Sequence, residues 1–156
     1  MSYPARLQSI IDLFESLPDQ AKRENLIAMA DSAKKFEPQE GQTYTLEDVR
    51  KDEECTDTVG IYLTVQDQSQ CNFHVSLGPQ VQTLTRAMTS ILCKGLDGLS
   101  PDEIMEIPAD FVPKIVGADL VRQRSQTTYY VLSRMKGVCK VWLNRKRAAE
   151  SESNSS

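Results

Sequence analysis

A single cysteine stands directly before the clearest strand pattern in the chain. After Cys55, apolar residues alternate with side chains that are mostly polar. The apolar positions are Val59, Ile61, Leu63 and Val65. A period of two predicts a strand whose apolar face is covered by other elements. Cys55 has the parity of that face, so an extended backbone would direct its sulfur toward a partly sheltered position.

This position is compatible with thiol chemistry, although a small buried cysteine is the commoner interpretation from the residues alone. A thiolate can attack a sulfur–sulfur bond, and a site at the rim of a sheet gives a partner access to it. The alternative is that Cys55 is a small core residue without chemistry, since free cysteines are often simply buried. Acidic neighbours oppose the thiolate, because nearby negative charge raises the pKa of a thiol. These neighbours are Asp52, Glu53, Glu54 and Asp57.

The acidic residues extend over a longer stretch, from Glu47 to Asp57. One interpretation is a docking surface for a basic partner, whose positive charge would favour the Cys55 thiolate on binding. The other interpretation is an ordinary solvated loop. The sequence alone leaves these two interpretations about equal.

The other cysteines and the single histidine predict no second site. Cys71, Cys93 and Cys139 form no CxxC pair and are too widely spaced for a local zinc knuckle or a cluster scaffold. Each falls on or near the apolar side of a strand or helix, so we expect all three to pack in the core. His74 lies on the polar face of its strand without a nucleophile at catalytic spacing. We therefore predict no metal site.

Length and charge limit the classes of function. The 156 residues suit one domain that can bury a core without disulfides. A formal net charge of −4 argues against nucleic acid as a partner. The basic cluster Arg145-Lys146-Arg147 is better explained as a solvated helix end. Without a signal-peptide pattern or a membrane-spanning apolar run, we expect a cytoplasmic protein that does not enter a membrane.

Helical periodicity dominates the chain on both sides of the Cys55 strand. Two helices are predicted before it, one ending at Pro18 and one beginning near an Asp19 N-cap, with Ile27 in the buried stripe of the second. Residues 36–54 are acidic and lack a period, which indicates an ordered loop that could contain a short strand near 43–46. A turn at 67–70 then returns the chain into a second strand, which closes a hairpin.

The second half of the chain is predicted to be helical. The predicted segments are a helix from Val81 to Gly95, a capped helix starting at Ser100-Pro101-Asp102-Glu103, an irregular turn between Pro108 and Pro113, and a last helix from about Ser125 to Leu143. Residues 148–156 are too polar to pack and are predicted to be a disordered tail, which leaves 1–147 as the domain. The fold class is α+β, a small antiparallel β-sheet covered by helices.

The order of these segments resembles the SufE family. The matching features, in order, are Pro18 to Arg23 before a helix, Cys55 before a Val-x-Ile-x-Leu strand, a second strand, the helix from Val81, and Ser100 to Ile104. Leu120 to Gln126 then resembles the family's closing Leu-(Ser/Thr)-Pro-x-Arg-x-(Asn/Gln) segment. The resemblance covers about residues 7–143 and rests on the order of the segments.

This resemblance implies a SufE/IscU-like fold and a sulfur acceptor in iron–sulfur cluster assembly. Cys55 would take persulfide sulfur from a SufS-like cysteine desulfurase, stimulate that enzyme, and pass the sulfur to iron–sulfur scaffold proteins. Arg124 matches the family's arginine, and with Asp57 it would bind the partner or position the loop carrying Cys55. The implied role is accessory sulfur transfer without independent turnover or a bound cofactor. The alternative is a SufE-fold interaction module that binds a partner without carrying sulfur.

Overall fold

The computed structural model describes residues 3–52 and 57–154. In these residues one antiparallel sheet has the strand order β1-β2-β3, with β1 at Leu46–Asp52, β2 at Asp57–Gln66 and β3 at Gln70–Leu77. The α-helices are α1 (Ala5–Glu15), α2 (Asp19–Ser32), α3 (Thr83–Gly95), α4 (Pro101–Glu106), α5 (Val112–Val116), α6 (Ala118–Gln123) and α7 (Ser125–Asn154). Short 3₁₀ turns occupy Ala33–Phe36 and Ala109–Phe111. The predicted α+β class is confirmed.

The β2–β3 hairpin provides the inner face of the sheet. Val59, Ile61 and Leu63 are fully buried, as the alternation predicts, and Ile61 pairs with Val75 of β3. α3 packs against β3, and α7 packs against β1 and β2. Burial of this face against two helices supplies the hydrophobic stabilisation that a lone hairpin lacks.

β1 corrects the prediction for residues 36–54. The strand begins at Leu46, where the predicted short strand ends, and continues through the acidic residues to Asp52. Its backbone pairs with β2, with Val49 opposite Gly60 and Asp52 opposite Asp57. The strand is hard to recognise because it is an edge strand: Leu46 is buried, whereas Val49 is half exposed and gives no alternation.

α3 is the central helix. Its polar residues Thr85, Thr89 and Ser90 are buried together with its apolar ones, and the Ser90 hydroxyl donates to the Met29 carbonyl of α2 at 2.6 Å. α1 and α2 both pack on α3. Because α3 is covered on nearly every side, it forms a rigid support for the elements that meet at its ends.

α2 differs from its prediction in two details. Pro18 is the N-cap and Asp19 is the first helical residue, where its carboxylate still lies at the favourable positive end of the helix. Ile27 is 55% exposed, while Leu26 and Ala30 are buried. The buried stripe is therefore narrower than the apolar residues indicate, since only one side of α2 contacts α3.

In the C-terminal half, a predicted capping motif is confirmed and the last helix is longer than predicted. Ser100 and Glu103 exchange the two hydrogen bonds of a capping box at the start of α4, as predicted. α7 continues past Leu143 to Asn154, so residues 148–154 are helical and not the disordered tail that their composition predicts. The polar end of α7 is exposed, which explains why hydrophobic periodicity does not reveal it.

Candidate functional site

Cys55 lies outside the described residues, in the four-residue stretch 53–56. The structure describes the residues on each side of this stretch, where Asp52 of β1 and Asp57 of β2 are paired across the sheet. The groups that hold Asp57 in place therefore define the candidate site.

Asp57 joins the start of β2 to the chain segment before α3. One carboxylate oxygen accepts from the backbone N–H of Thr58 and the other from the backbone N–H of Gln80, each at 2.7 Å. The Gly78 N–H also donates to the Thr58 carbonyl, at 2.9 Å. Residues 78–82, which we call the β3–α3 connection, are thus held against β2. Hydrogen bonds to a charged acceptor are stronger than neutral ones, so this is a firm attachment.

Gly78 is required for this arrangement. A Cβ atom built on Gly78 would overlap the Asp57 carboxylate, closer than any real contact between such atoms. Glycine at position 78 allows the Asp57 side chain to lie close to the backbone. Its φ is not in the left-handed region that only glycine adopts readily.

Arg86 holds the same connection from the side of α3. Its Nε donates to the Val81 carbonyl at 3.1 Å, and Nη2 donates to the Gly78 carbonyl at 2.6 Å. Arg86 is half-buried, one turn into a helix that is otherwise mostly apolar. The sequence prediction did not assign it to the site, although an isolated cation on a largely buried helix was the available signal.

Arg124 contacts the other end of the connection. It follows α6 directly, and its Nη1 donates to the Oε1 of Gln82, the N-cap residue of α3, at 2.5 Å. Arg124 is exposed, and it borders an open pocket of about 320 Å³. The pocket is lined by Gln82, Gln123, Arg124, Ser125, Gln126 and Thr127. The remaining guanidinium donors are thus placed at a surface where a partner can approach.

The structure therefore brings Asp57 and Arg124 to one short segment, although 67 positions separate them in the sequence. Asp57 binds its middle at Gln80, and Arg124 binds its end at Gln82. Arg86 supports it from α3. One anion and two cations thus fix the backbone of this connection.

The three cysteines in the described residues are buried, as predicted. Cys71, Cys93 and Cys139 are 1%, 3% and 0% exposed, and all are free thiols. Burial raises the pKa of Cys93. A hydrogen bond with Cys71 raises the pKa of the Cys139 thiol, and burial adds to this. Enclosed thiols are poor nucleophiles, because a partner cannot reach them.

His74 packs among aromatic rings. Its ring lies 5.4 Å from that of Tyr44, and it pairs with Tyr62 across the sheet. Partial burial lowers the pKa of His74, and its Nδ1 has no hydrogen-bond partner within the described part of the chain. It lies on the polar face of β3, as the alternation predicts, and contacts none of the groups at the β3–α3 connection named above.

The described residues contain neither a candidate metal cluster nor a membrane-spanning helix. Within 3–52 and 57–154, histidine, cysteine, aspartate and glutamate do not gather in threes that could hold a metal ion. In the same residues, no helix combines the length and apolarity needed to cross a bilayer. In the basic cluster, the Lys146 ammonium lies 5.4 Å from the Trp142 ring centroid on the exposed end of α7.

Comparison with known proteins places this chain in a family. The model of the SufE family, described as the Fe-S metabolism associated domain, matches residues 8–139. Curated protein sequences give no match. A solution structure of a hypothetical protein from Thermus thermophilus has a TM-score of 0.66 at 20% identity, over 92% of this chain and 99% of that one.

A second solved structure is more distant. A crystal structure of the N-terminal part of a nitrogen-fixing NifU-like protein from Brucella abortus has a TM-score of 0.53 at 12% identity, over 75% of this chain and 90% of that one. At such identities these two structures show the fold alone. The family match covers most of the chain, and the chain therefore belongs to the SufE family of Fe-S metabolism associated domains.

Proposed function

We propose that this protein accepts persulfide sulfur from a cysteine desulfurase on Cys55 and delivers it to an iron–sulfur scaffold protein. The observation that carries the proposal is the distribution of thiols within the matched family region. Residues 8–139 include all four cysteines, and the three in the described structure are enclosed in the core. Cys55 is the remaining thiol, two residues before the anchored Asp57.

The proposed step is a thiol–persulfide exchange. The Cys55 thiolate attacks the terminal sulfur of the persulfide on the desulfurase, the sulfur–sulfur bond breaks, and the donor cysteine leaves as a thiolate. The terminal sulfur and its proton move to Cys55, which becomes a persulfide. No oxidant or reductant is consumed, and the chain needs no cofactor of its own for the step.

Asp57 and Arg124 are the proposed positioning residues. Asp57 fixes the chain two residues after Cys55 by its bonds to Thr58 and Gln80. Arg124 is exposed beside the same connection and keeps donors for a carboxylate of the partner. A guanidinium near an approaching sulfur would also favour its anionic form.

The acidic stretch is the proposed docking surface for the desulfurase. Residues 47–57 contain six acidic and two basic residues, so their net charge of −4 equals that of the whole chain. A basic partner surface would be attracted to this segment, and its charge would lower the pKa of the Cys55 thiol on docking. The proposed location is the cytoplasm, where thiols stay reduced.

Transfer of labelled sulfur tests the proposal. The wild type and Cys55→Ser are incubated with a cysteine desulfurase and sulfur-labelled free cysteine, and the label is mapped to a peptide. We expect label on the peptide containing Cys55 in the wild type and none on Cys55→Ser. Cys93→Ala, which removes an enclosed thiol, is the control and should keep the label. Label that persists in Cys55→Ser would refute the assignment.

An interaction module without sulfur transfer is the second candidate. The observation that favours it is the acidic sequence around Cys55, which disfavours the thiolate in the absence of a partner. The same experiment separates the two functions. A wild-type chain that binds the desulfurase and stimulates or blocks it, but never acquires label, would support the module.

A further inference from the structure

Arg134 is a charged side chain buried between α7 and the edge of the sheet. Its side chain is 4% exposed. Nε donates to Asp48 Oδ2 at 3.2 Å, and Nη2 donates to the backbone carbonyls of Asp48 at 2.7 Å and Val59 at 3.0 Å. Nη1 donates to the Tyr130 hydroxyl one turn earlier in α7, at 2.5 Å. Burial of an unpaired charge costs free energy, and these hydrogen bonds offset that cost for the Arg134 guanidinium.

These bonds connect three elements at one point. Asp48 belongs to β1, Val59 to β2 and Arg134 to α7. Val59 pairs with Arg50 in the sheet. Arg50 lies two residues after Asp48 in β1. The guanidinium thus holds β1 at Asp48 and β2 at Val59, on either side of the middle of the strand pair, where Val49 lies opposite Gly60.

Apolar burial contributes little to holding β1 in place in residues 46–50, whose side chains the structure describes. Leu46 is its buried apolar residue, whereas Val49 is 51% exposed and contributes little burial. In residues 47–50, the part of β1 beyond Leu46 with described side chains, backbone pairing with β2 and the Arg134 bonds are therefore the main contacts. Asp48 also forms an ion pair with the exposed Arg50, whose Nη2 lies 3.3 Å from Oδ2, so its carboxylate keeps a cationic partner if Arg134 is removed.

We propose that Arg134 is a positioning residue for sulfur transfer: it clamps β1 and β2 to α7, so that the strand ends flanking Cys55 are held in register. The inference rests on the proposed function, because it concerns how Cys55 is presented to the persulfide. Arg134 lies ten positions after Arg124 in the sequence. Its guanidinium contacts β1 and β2, whereas Arg124 contacts the β3–α3 connection. The orientation of the nucleophile affects the rate of the chemical step more than it affects binding of the partner protein.

The test compares Arg134→Met, Arg134→Lys and Asp48→Asn with the wild type. Arg147→Met, an exposed arginine on the same helix, is the matched control. Backbone hydrogen exchange is followed at residues 47–50 and 57–60, with α3 amides as the internal reference. Sulfur loading from the desulfurase is measured with kcat and KM separated. Asp48→Asn keeps the shape of the side chain, which provides a second variant if Arg134→Met folds poorly.

The clamp predicts a local effect. In Arg134→Met, protection of the strand amides should fall about tenfold while that of α3 is retained. The kcat of sulfur loading should fall about tenfold with KM nearly unchanged, because docking is preserved and presentation is not. Arg134→Lys keeps the charge and some donors and should recover part of kcat. Asp48→Asn should have a smaller effect of the same kind, and Arg147→Met none.

Two failures are distinguishable. If the wild type acquires label and Arg134→Met acquires it with the same kcat, the inference about Arg134 is refuted and the proposed function stands. If the wild type itself acquires no label, the proposed function is refuted, together with the role of Arg134 in it. Equal loss of protection throughout α3 and the strands would refute a local clamp in favour of general destabilisation.

Discussion

The carboxylate of Asp57 and the backbone N–H of Gln80 form a 2.7 Å hydrogen bond between the first residue of β2 and the β3–α3 connection. The same carboxylate accepts from Thr58. A single side chain thus determines where β2 begins relative to α3. Changes to this bond should therefore affect both elements.

Replacing Asp57 with alanine should release the connection from β2. Two charge-assisted bonds to backbone N–H groups are lost, which predicts a decrease of about 1–3 kcal/mol in the free energy of unfolding. Urea unfolding measures this change. Asp31→Ala, on the exposed side of α2, is the control and should change stability by less than about 0.5 kcal/mol. An unfolding free energy equal to that of the wild type would show that the Asp57 bonds contribute nothing.

Gly78→Ala should act through the same bond. The new Cβ would displace the Asp57 carboxylate, so we expect a loss of about 1–3 kcal/mol in the free energy of unfolding. In the double variant with Asp57→Ala the losses should be far from additive, since the clash disappears with the carboxylate. Gly137→Ala in α7 meets no atom within 4 Å and should instead stabilise the protein by about 0.5–1 kcal/mol. Full additivity would contradict the proposed clash.

The buried thiols predict a loss of stability at alkaline pH. Burial keeps Cys93 protonated in the folded chain, whereas in the unfolded chain the thiol ionises near its ordinary pKa of 9.0. The unfolded state therefore binds fewer protons above that pH, and stability falls as pH rises. The expected slope is about 1.4 kcal/mol per pH unit for each such thiol.

Urea unfolding between about pH 8 and pH 10 measures this slope. Cys93→Ala should reduce it, even though the variant is less stable at every pH. Tyr3 adds a slope of its own near the top of this range, because its hydrogen bond to Asp110 raises its folded-state pKa to about 12 while the unfolded side chain ionises near 10.0. The difference between the wild type and Cys93→Ala therefore isolates the contribution of Cys93. A slope that Cys93→Ala leaves unchanged would contradict an ionisation of Cys93 on unfolding.

Arg124→Ala should separate function from stability. The residue is exposed, so the free energy of unfolding should change by less than about 1 kcal/mol. If Arg124 binds a carboxylate of the desulfurase or orients the Cys55 segment, kcat/KM for sulfur loading should fall about tenfold. Arg122→Ala, a neighbouring exposed arginine paired with Asp119, is the control and should load sulfur normally. Normal loading by Arg124→Ala would exclude both roles.

Strands and helices with a buried face were predictable from the sequence. The alternation from Val59 to Leu63 and the capping box at Ser100 each depend on local spacing, and both are confirmed. β1 was not predictable in this way, because backbone pairing and the long-range contact between Asp48 and Arg134 hold it, rather than burial. The helical end of α7 was missed for a related reason, since exposed polar residues leave no periodic signal.

The candidate site shows the same division. Cys55, Asp57 and Arg124 were named from the sequence, but the segment that Asp57 and Arg124 share was not. Gln80 and Gln82 have no distinguishing local pattern, and their role arises only when the sheet and the junction between α6 and α7 meet at the start of α3. Contacts between distant parts of a chain depend on the whole fold, so residue types alone do not reveal them.

The burial of Cys71, Cys93 and Cys139 affects how long a persulfide could persist on the same chain. In a chain that carries a persulfide, any second accessible thiol could attack the inner sulfur, form a disulfide and expel the outer sulfur as hydrosulfide. Cys71, Cys93 and Cys139 are enclosed by the core and cannot take part in this reaction while the chain is folded. If the chain carries a persulfide on Cys55, as proposed, the hydrophobic core prevents these three thiols from discharging the sulfur within the same molecule.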